Sequence, residues 1–310
     1  MALAIAFFQF RRGDKALVSS SIETLPWQWA KTLSPLFNIL AIVATAFGVA
    51  ASLGMGAAQI NSGLNAVFDL PNTTTSQAII ILVVTVLFVG SAVSGVDKGV
   101  KLLSEANLLL AAALALLIFL LGPTVTIIDT FTNTLGSYLS EFVRMSLRLT
   151  PFRDSAWVGG WTIFYWAWWM AWSPFVGLFI ARISRGRTIR EFLLGVVIVP
   201  TLAGFLWFSI FGGSALQMEI FLNAHLTDIA SQDSAKALFT LLELLPLGTI
   251  TSVVAIILVV VFFITSGDSA TLVLASMSEG GSDNPSNRSK IIWGILVSGI
   301  ALALLFAGGL

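Results

Sequence analysis

Seven apolar runs, each of about twenty residues or more, divide the chain at about 36–60, 77–96, 103–128, 158–182, 189–212, 247–277 and 290–308. Between them stand segments rich in Gly, Pro, Asn, Asp and Ser, the residue types that end helices and form turns. At about 1.5 Å of rise per residue, roughly twenty apolar residues cross a hydrocarbon core about 30 Å thick. Each run therefore predicts a membrane-spanning helix. An eighth run, residues 1–10, would span only about 15 Å and stops at Arg11 and Arg12. A signal peptide carries its basic residues in front of the apolar run, so this one reads as the cytoplasmic half of a helix. Residues 19–35 read as a cytoplasmic connection with Trp27 and Trp29 as interfacial anchors.

The basic residues test this count of spans. On one side of the alternation lie twelve: Arg11, Arg12, Lys15, Lys31, Lys98, Lys101, Arg182, Arg185, Arg187, Arg190, Arg288 and Lys290. The other side holds four, Arg144, Arg148, Arg153 and Lys236. The positive-inside rule makes the first side cytoplasmic. Residues 130–151 fit no span: Leu135, Leu139, Phe142, Val143, Leu147 and Leu149 alternate with Ser, Glu and Arg, as in an amphipathic helix lying on the outer surface or an ordinary loop helix.

Composition narrows the function classes. The 310 residues are 57% hydrophobic and 10% charged, with mean hydropathy +0.94, whereas soluble domains carry about 25% charge. This is an all-α polytopic membrane protein with about seven full spans and one half span. With no cysteine, disulfides, thiolate metal sites and thiol catalysis are excluded. The lone histidine, His225, sits in a polar connection and reads as solvated. A formal net charge of zero gives no basic excess for nucleic acid. A membrane-embedded enzyme would need convergent catalytic groups, and the carboxylates are scattered, so the chain reads as no enzyme and no cofactor is implied.

The densest chemistry lies in 161–190. Trp161, Trp166, Trp168, Trp169 and Trp172 fall within twelve residues, half of the ten tryptophans in the chain. They extend over roughly 16 Å of helix, too tall for an interfacial belt alone. Phe164, Trp168, Trp172, Phe175 and Phe179 form one stripe, either packing against neighbouring helices or a cation–π site for a desolvated quaternary ammonium.

In the sixth run, FFITSGDSAT offers the carbonyl of Phe262 and the hydroxyls of Thr265 and Ser266, hard oxygens of the kind an alkali cation needs. Such hydroxyls also bond back to their own helix. Asp268, an acid inside or near the end of a span, marks a functional site by default; pairing with an arginine of the 182–190 cluster, Arg182 foremost, in gating is the favoured reading.

The stretch WTIFYWAWWMAWSPFVGLFIARISRGRTIREFLLG, followed by WFSIFGGSAL, closely resembles the signature region of the betaine/carnitine/choline transporter family. The resemblance implies part of an inverted-repeat, LeuT-like fold: 1–129 as the latter part of a first repeat, 130–151 as the connecting amphipathic helix and 152–310 as most of a second. It implies a cell (inner) membrane symporter of quaternary-ammonium compounds such as glycine betaine, choline or carnitine, with sodium as the coupling ion and a homotrimer as the assembly. Its aromatic site maps onto Phe164, Trp168, Trp169 and Trp172, and its sodium ligands onto Phe262, Thr265 and Ser266. A second sodium site maps onto Thr45 and Phe175, but Val49 stands where the family has its second threonine. First-repeat ligands would precede Met1, so a non-transporting remnant is the alternative.

Overall fold

The computed structural model describes residues 1–95, 97–152 and 155–308. Arg153 and the side chain of Lys98, both counted among the basic residues above, lie outside that set. A short helix α1 (Ala2–Phe7) leads through a π-helical turn to a linker, followed by α2 (Gln28–Phe68), α3 (Thr74–Ser94), α4 (Asp97–Leu121) and α5 (Thr124–Ser146). A π-helical turn, Val158–Ile163, opens α6 (Phe164–Ile183); α7 (Ile189–Leu193) continues through another into α8 (Val199–Leu222). Then come α9 (Leu226–Gln232), α10 (Ser234–Glu243), α11 (Gly248–Ser278) and α12 (Asn287–Phe306). Among the described residues seven helical segments are long and apolar enough to cross a membrane, at the places where the apolar runs predict them.

Three spans differ from the sequence reading: the fifth, expected over 189–212, runs on to Leu222, and the first and third differ for physical reasons. The first span is expected over 36–60, yet α2 is 41 residues long, about 60 Å at the usual rise. It passes through Pro35, and in its first turns the buried Ser34 donates its hydroxyl hydrogen to the Glu23 carboxylate. At its far end the buried Asn61 and the half-buried Asn65 bond forward, to the carbonyls of Pro71 (3.1 Å) and Leu70 (2.9 Å). These polar residues tie down the turn instead of ending the helix. The third span, expected over 103–128, stops at Leu121, because Pro123 has no N–H to continue the ladder. The amphipathic segment consequently starts at Thr124 and ends at Ser146, and Leu147 and Leu149 lie beyond it, well exposed. Tyr138 of α5 meets Phe205 of α8 edge to face at 4.9 Å.

The interior is organised around α2 and α11. One apolar cluster joins them to α3, α6 and α12 through residues such as Val49, Phe88, Phe175, Phe263 and Leu274. A second joins α11 to α4, α8 and α10 through Ile118, Phe211, Phe239 and Leu242. Close approach depends on glycines on α2: a Cβ on Gly56 would stand 2.8 Å from the Phe263 ring, and one on Gly63 2.4 Å from Phe239. The tryptophan-rich α6, the most conspicuous stretch in the sequence, packs on the flank of α2 rather than at the centre.

Candidate functional site

A cavity of about 250 Å³ lies where α2, α6 and α11 meet. From α6 come Tyr165, Trp168 and Trp172; α2 contributes Ser52 and Gln59 among apolar residues, and α11 contributes Phe262, Phe263 and Ser266. None of the lining residues carries a charge. The lining is therefore aromatic and neutral, with a few hydroxyl and amide groups, which suits a cation lacking hydrogen-bond donors.

Helical spacing explains the α6 wall, since positions 165, 168 and 172 share one face. Trp168 and Trp172 stand at 88° with ring centroids 6.5 Å apart, and Tyr165 meets Trp168 edge to face at 5.6 Å. The indole N–H of Trp172 donates to the Gly48 carbonyl at 2.9 Å. That of Trp168 points to Ser52 Oγ at 3.1 Å and to the Gly48 carbonyl at 3.4 Å.

The other two aromatic candidates lie outside the cavity lining. Phe164 is half exposed and leans on Trp168 at 6.1 Å. Trp169 is 58% exposed and packs on Tyr165 and Trp166. Tyr165 and Gln59 escaped the sequence reading. Tyr165 could have been found, because an aromatic stripe drawn through 165, 168 and 172 fits helical spacing as well as one through 164. Gly48 and Ser52, small residues one turn apart, mark a close-packing face but not what packs there.

The candidate cation ligands sit on the opposite wall. Helix α11 runs unbroken through them, so the Phe262 carbonyl belongs to a continuous helix and not to an unwound segment. Thr265 Oγ1 donates to the Val261 carbonyl at 2.9 Å and lies 3.2 Å from the Phe262 oxygen. Phe262 and Ser266 line the same cavity as Trp168 and Trp172. For the second cation site, Thr45 is fully buried with its hydroxyl unpartnered among the described residues, and Val49, one turn on, and Phe175 of the α6 stripe are also buried.

Asp268 and Arg182, expected to act in gating, each meet a further group. Asp268 accepts a hydrogen bond from Ser91 Oγ of α3 at 2.7 Å. Arg182 reaches the loop before α12, where it meets the Asp283 carboxylate at 3.7 Å and the Asp283 carbonyl. Arg182 lines a pocket with Val273, Ser276 and Asp283, near the end of α11, whereas Asp268 is ten residues before that end, about 15 Å along the axis. His225 is 77% exposed and 3.4 Å from Asp228.

Comparison with known proteins agrees with this architecture. A model of the betaine/carnitine/choline family of transporters matches residues 1–310. The chain is 49% identical to the glycine betaine transporter OpuD of Bacillus subtilis, aligning over all of this chain and 60% of that protein. It is 44% identical to an ectoine/hydroxyectoine transporter of Virgibacillus pantothenticus, over 100% of this chain and 62% of the relative. A glycine betaine/proline/choline transporter of Vibrio parahaemolyticus is 42% identical, over 100% and 56% respectively. The chain thus spans about 60% of the length of these relatives, none of which is named as an enzyme. With its seven spans, its tryptophan-rich sixth helix and a family match from end to end, this chain belongs to the betaine/carnitine/choline transporter family.

Proposed function

We propose that this chain is the larger part of a secondary transporter for small quaternary-ammonium osmolytes, glycine betaine foremost, working in the cell membrane by alternating access. The observation that carries this reading is the uncharged cavity walled by Trp168 and Trp172 at right angles. A permanently charged trimethylammonium group offers no N–H to an acceptor, and aromatic faces are its natural desolvated partners. The names of the relatives, glycine betaine transporter in one case and glycine betaine/proline/choline transporter in another, support the same class of substrate.

In this reading Trp168 and Trp172 hold the cation, while Phe164 and Trp169 flank them. Sodium is the co-transported ion, taken by the Phe262 carbonyl with the Thr265 and Ser266 hydroxyls; that Phe262 and Ser266 line the cavity supports it. Three oxygens are fewer than sodium takes, so further ligands come from outside α11. Residues 1–129 and 152–310 belong to two repeats of opposite topology joined by 130–151, an arrangement that places substrate and ion between the repeats. Arg182 and Asp268 act at the cytoplasmic end of that pathway, each with the partner described above, and the assembly is a homotrimer.

Uptake of radiolabelled glycine betaine and choline, with and without sodium, in cells lacking osmolyte carriers tests this reading. The chain is compared with a chimera in which it replaces its matching 60% of the Bacillus relative. Sodium-dependent uptake by the chimera is the expected result, lost on Thr265→Ala with Ser266→Ala. Uptake of neither compound by either protein would overturn the substrate class, and uptake indifferent to sodium would overturn the coupling.

A further inference from the structure

The two indoles of the cavity wall share one acceptor on a different helix. Trp172 Nε1 donates to the Gly48 carbonyl at 2.9 Å, and Ser52 Oγ donates to the same oxygen at 3.0 Å. Trp168 Nε1 donates to Ser52 Oγ at 3.1 Å and is 3.4 Å from the Gly48 oxygen. An indole N–H is a donor only, and a hydroxyl has one hydrogen to give. The chain of donation therefore has one direction, from Trp168 to Ser52 to Gly48, with Trp172 joining at the last acceptor.

Position 48 has to be glycine for this arrangement. A Cβ there would stand 2.9 Å from Trp172 Cδ1 and 3.2 Å from the Ala171 Cβ. Without it, α2 comes close enough for its backbone to reach the edges of both rings. Each ring has its N–H edge engaged by α2, so that the 88° between the planes is set from outside α6.

We propose that Ser52, with the Gly48 carbonyl, is a positioning residue for the onium site: it fixes the angle at which Trp168 and Trp172 present their faces. The proposal rests on reading the cavity as that site. It also bears on selectivity. A primary ammonium needs acceptors, and on this wall the Gly48 oxygen already accepts from Trp172 and Ser52, and one of the two lone pairs of Ser52 Oγ accepts from Trp168. A quaternary ammonium needs only the faces, which this bonding leaves free.

The test uses the purified chain in lipid nanodiscs, and in parallel the chimera described above, with glycine betaine and tetramethylammonium as probes and tryptophan fluorescence as the binding signal. Ser52→Ala removes one neutral hydrogen bond from Trp168, so both dissociation constants rise about five-fold. The resonance Raman band that reports indole N–H bonding shifts towards a weaker bond, and in cells the KM of uptake rises while the maximal rate holds. Ser52→Thr restores all three. A merely structural Ser52 would lower the melting temperature and leave affinity and the Raman band alone, and that result overturns the proposal. Should Ser52→Ala not fold, Ser52→Cys keeps the volume, weakens both bonds and is read in the same way. Trp168→Leu separates the two claims. If it abolishes binding while Ser52→Ala changes nothing, the positioning role falls and the cavity reading stands. If it binds like the parent, or neither parent binds a probe, the cavity reading falls and the positioning role with it.

Discussion

The ring of Phe88 on α3 occupies the space where a side chain on Gly267 of α11 would begin: a Cβ there would stand 2.7 Å from Phe88 Cδ1. The same ring lies 3.3 Å from the Cβ position of Gly294 on α12, so one buried phenylalanine keys three helices together. Gly267→Ala forces this ring to move and costs about 1–3 kcal/mol, as overpacking in a close-packed core does. Gly299→Ala, also on α12 but with nothing within 4 Å, is the matched control, neutral or stabilising by up to about 1 kcal/mol. Thermal unfolding in detergent reads both, and equal melting temperatures for the two variants would refute the wedge.

Asp233 carries two duties at the far end of α2. One oxygen caps α10, accepting from the N–H groups of Ala235 (3.0 Å) and Lys236 (3.2 Å). The other accepts from Asn72 (3.3 Å) and Ser62 (3.4 Å), tying α10 to α2 and its following turn. Asp233→Ala loses the cap, about 1 kcal/mol, and the tie as well. Asp233→Asn keeps a capping acceptor and loses less. Because Ser62 acts through the same carboxylate, Ser62→Ala added to Asp233→Ala costs less than the two single changes combined. Strict additivity in unfolding experiments would show that the contact carries no energy.

Acidification has a defined target in the turn between α11 and α12. Glu279 accepts from the hydroxyls of Ser286 and Ser289, each at 2.6 Å, and from the Ser286 N–H at 3.1 Å. These bonds, the Ser286 hydroxyl first, hold its carboxyl below the usual carboxylate range. A group depressed on folding stabilises at pH above its unfolded value and loses that contribution as pH falls through its folded value. The melting temperature of the parent exceeds that of Glu279→Gln from neutral pH down to the ordinary carboxylate range, and the gap closes on further acidification. A gap that stays constant into strong acid would show that the carboxylate does not govern this turn.

The neighbouring tryptophans separate cleanly. Trp168 walls the cavity and Trp169, 58% exposed, does not. In the chimera, Trp168→Leu raises the KM for glycine betaine at least about ten-fold, the loss of one desolvated cation–π contact of roughly 2 kcal/mol. Trp169→Leu raises it less. The reverse order, measured by uptake, would move the recognition surface from the cavity to the flank that carries Trp169.

Much of this molecule can be read along the chain because the bilayer imposes a one-dimensional rule. A stretch of some twenty apolar residues must become a helix, since no water is there to satisfy its backbone. That rule marks all seven spans, and the 3.6-residue period alone puts Trp168 and Trp172 on one face. The rarity of clustered tryptophans and the family motif they form are also properties of sequence. Tertiary structure decided which partner each face meets. The length of α2 depended on Asn61 and Asn65 finding carbonyls ahead of them. Arg182 met Asp283, 101 positions further along in the turn after α11. The anchoring of two indoles on Gly48 joins residues 120 and 124 positions apart. Periodicity names a face within one helix, whereas a hydrogen bond between helices is fixed by their approach and offset, which no local pattern encodes.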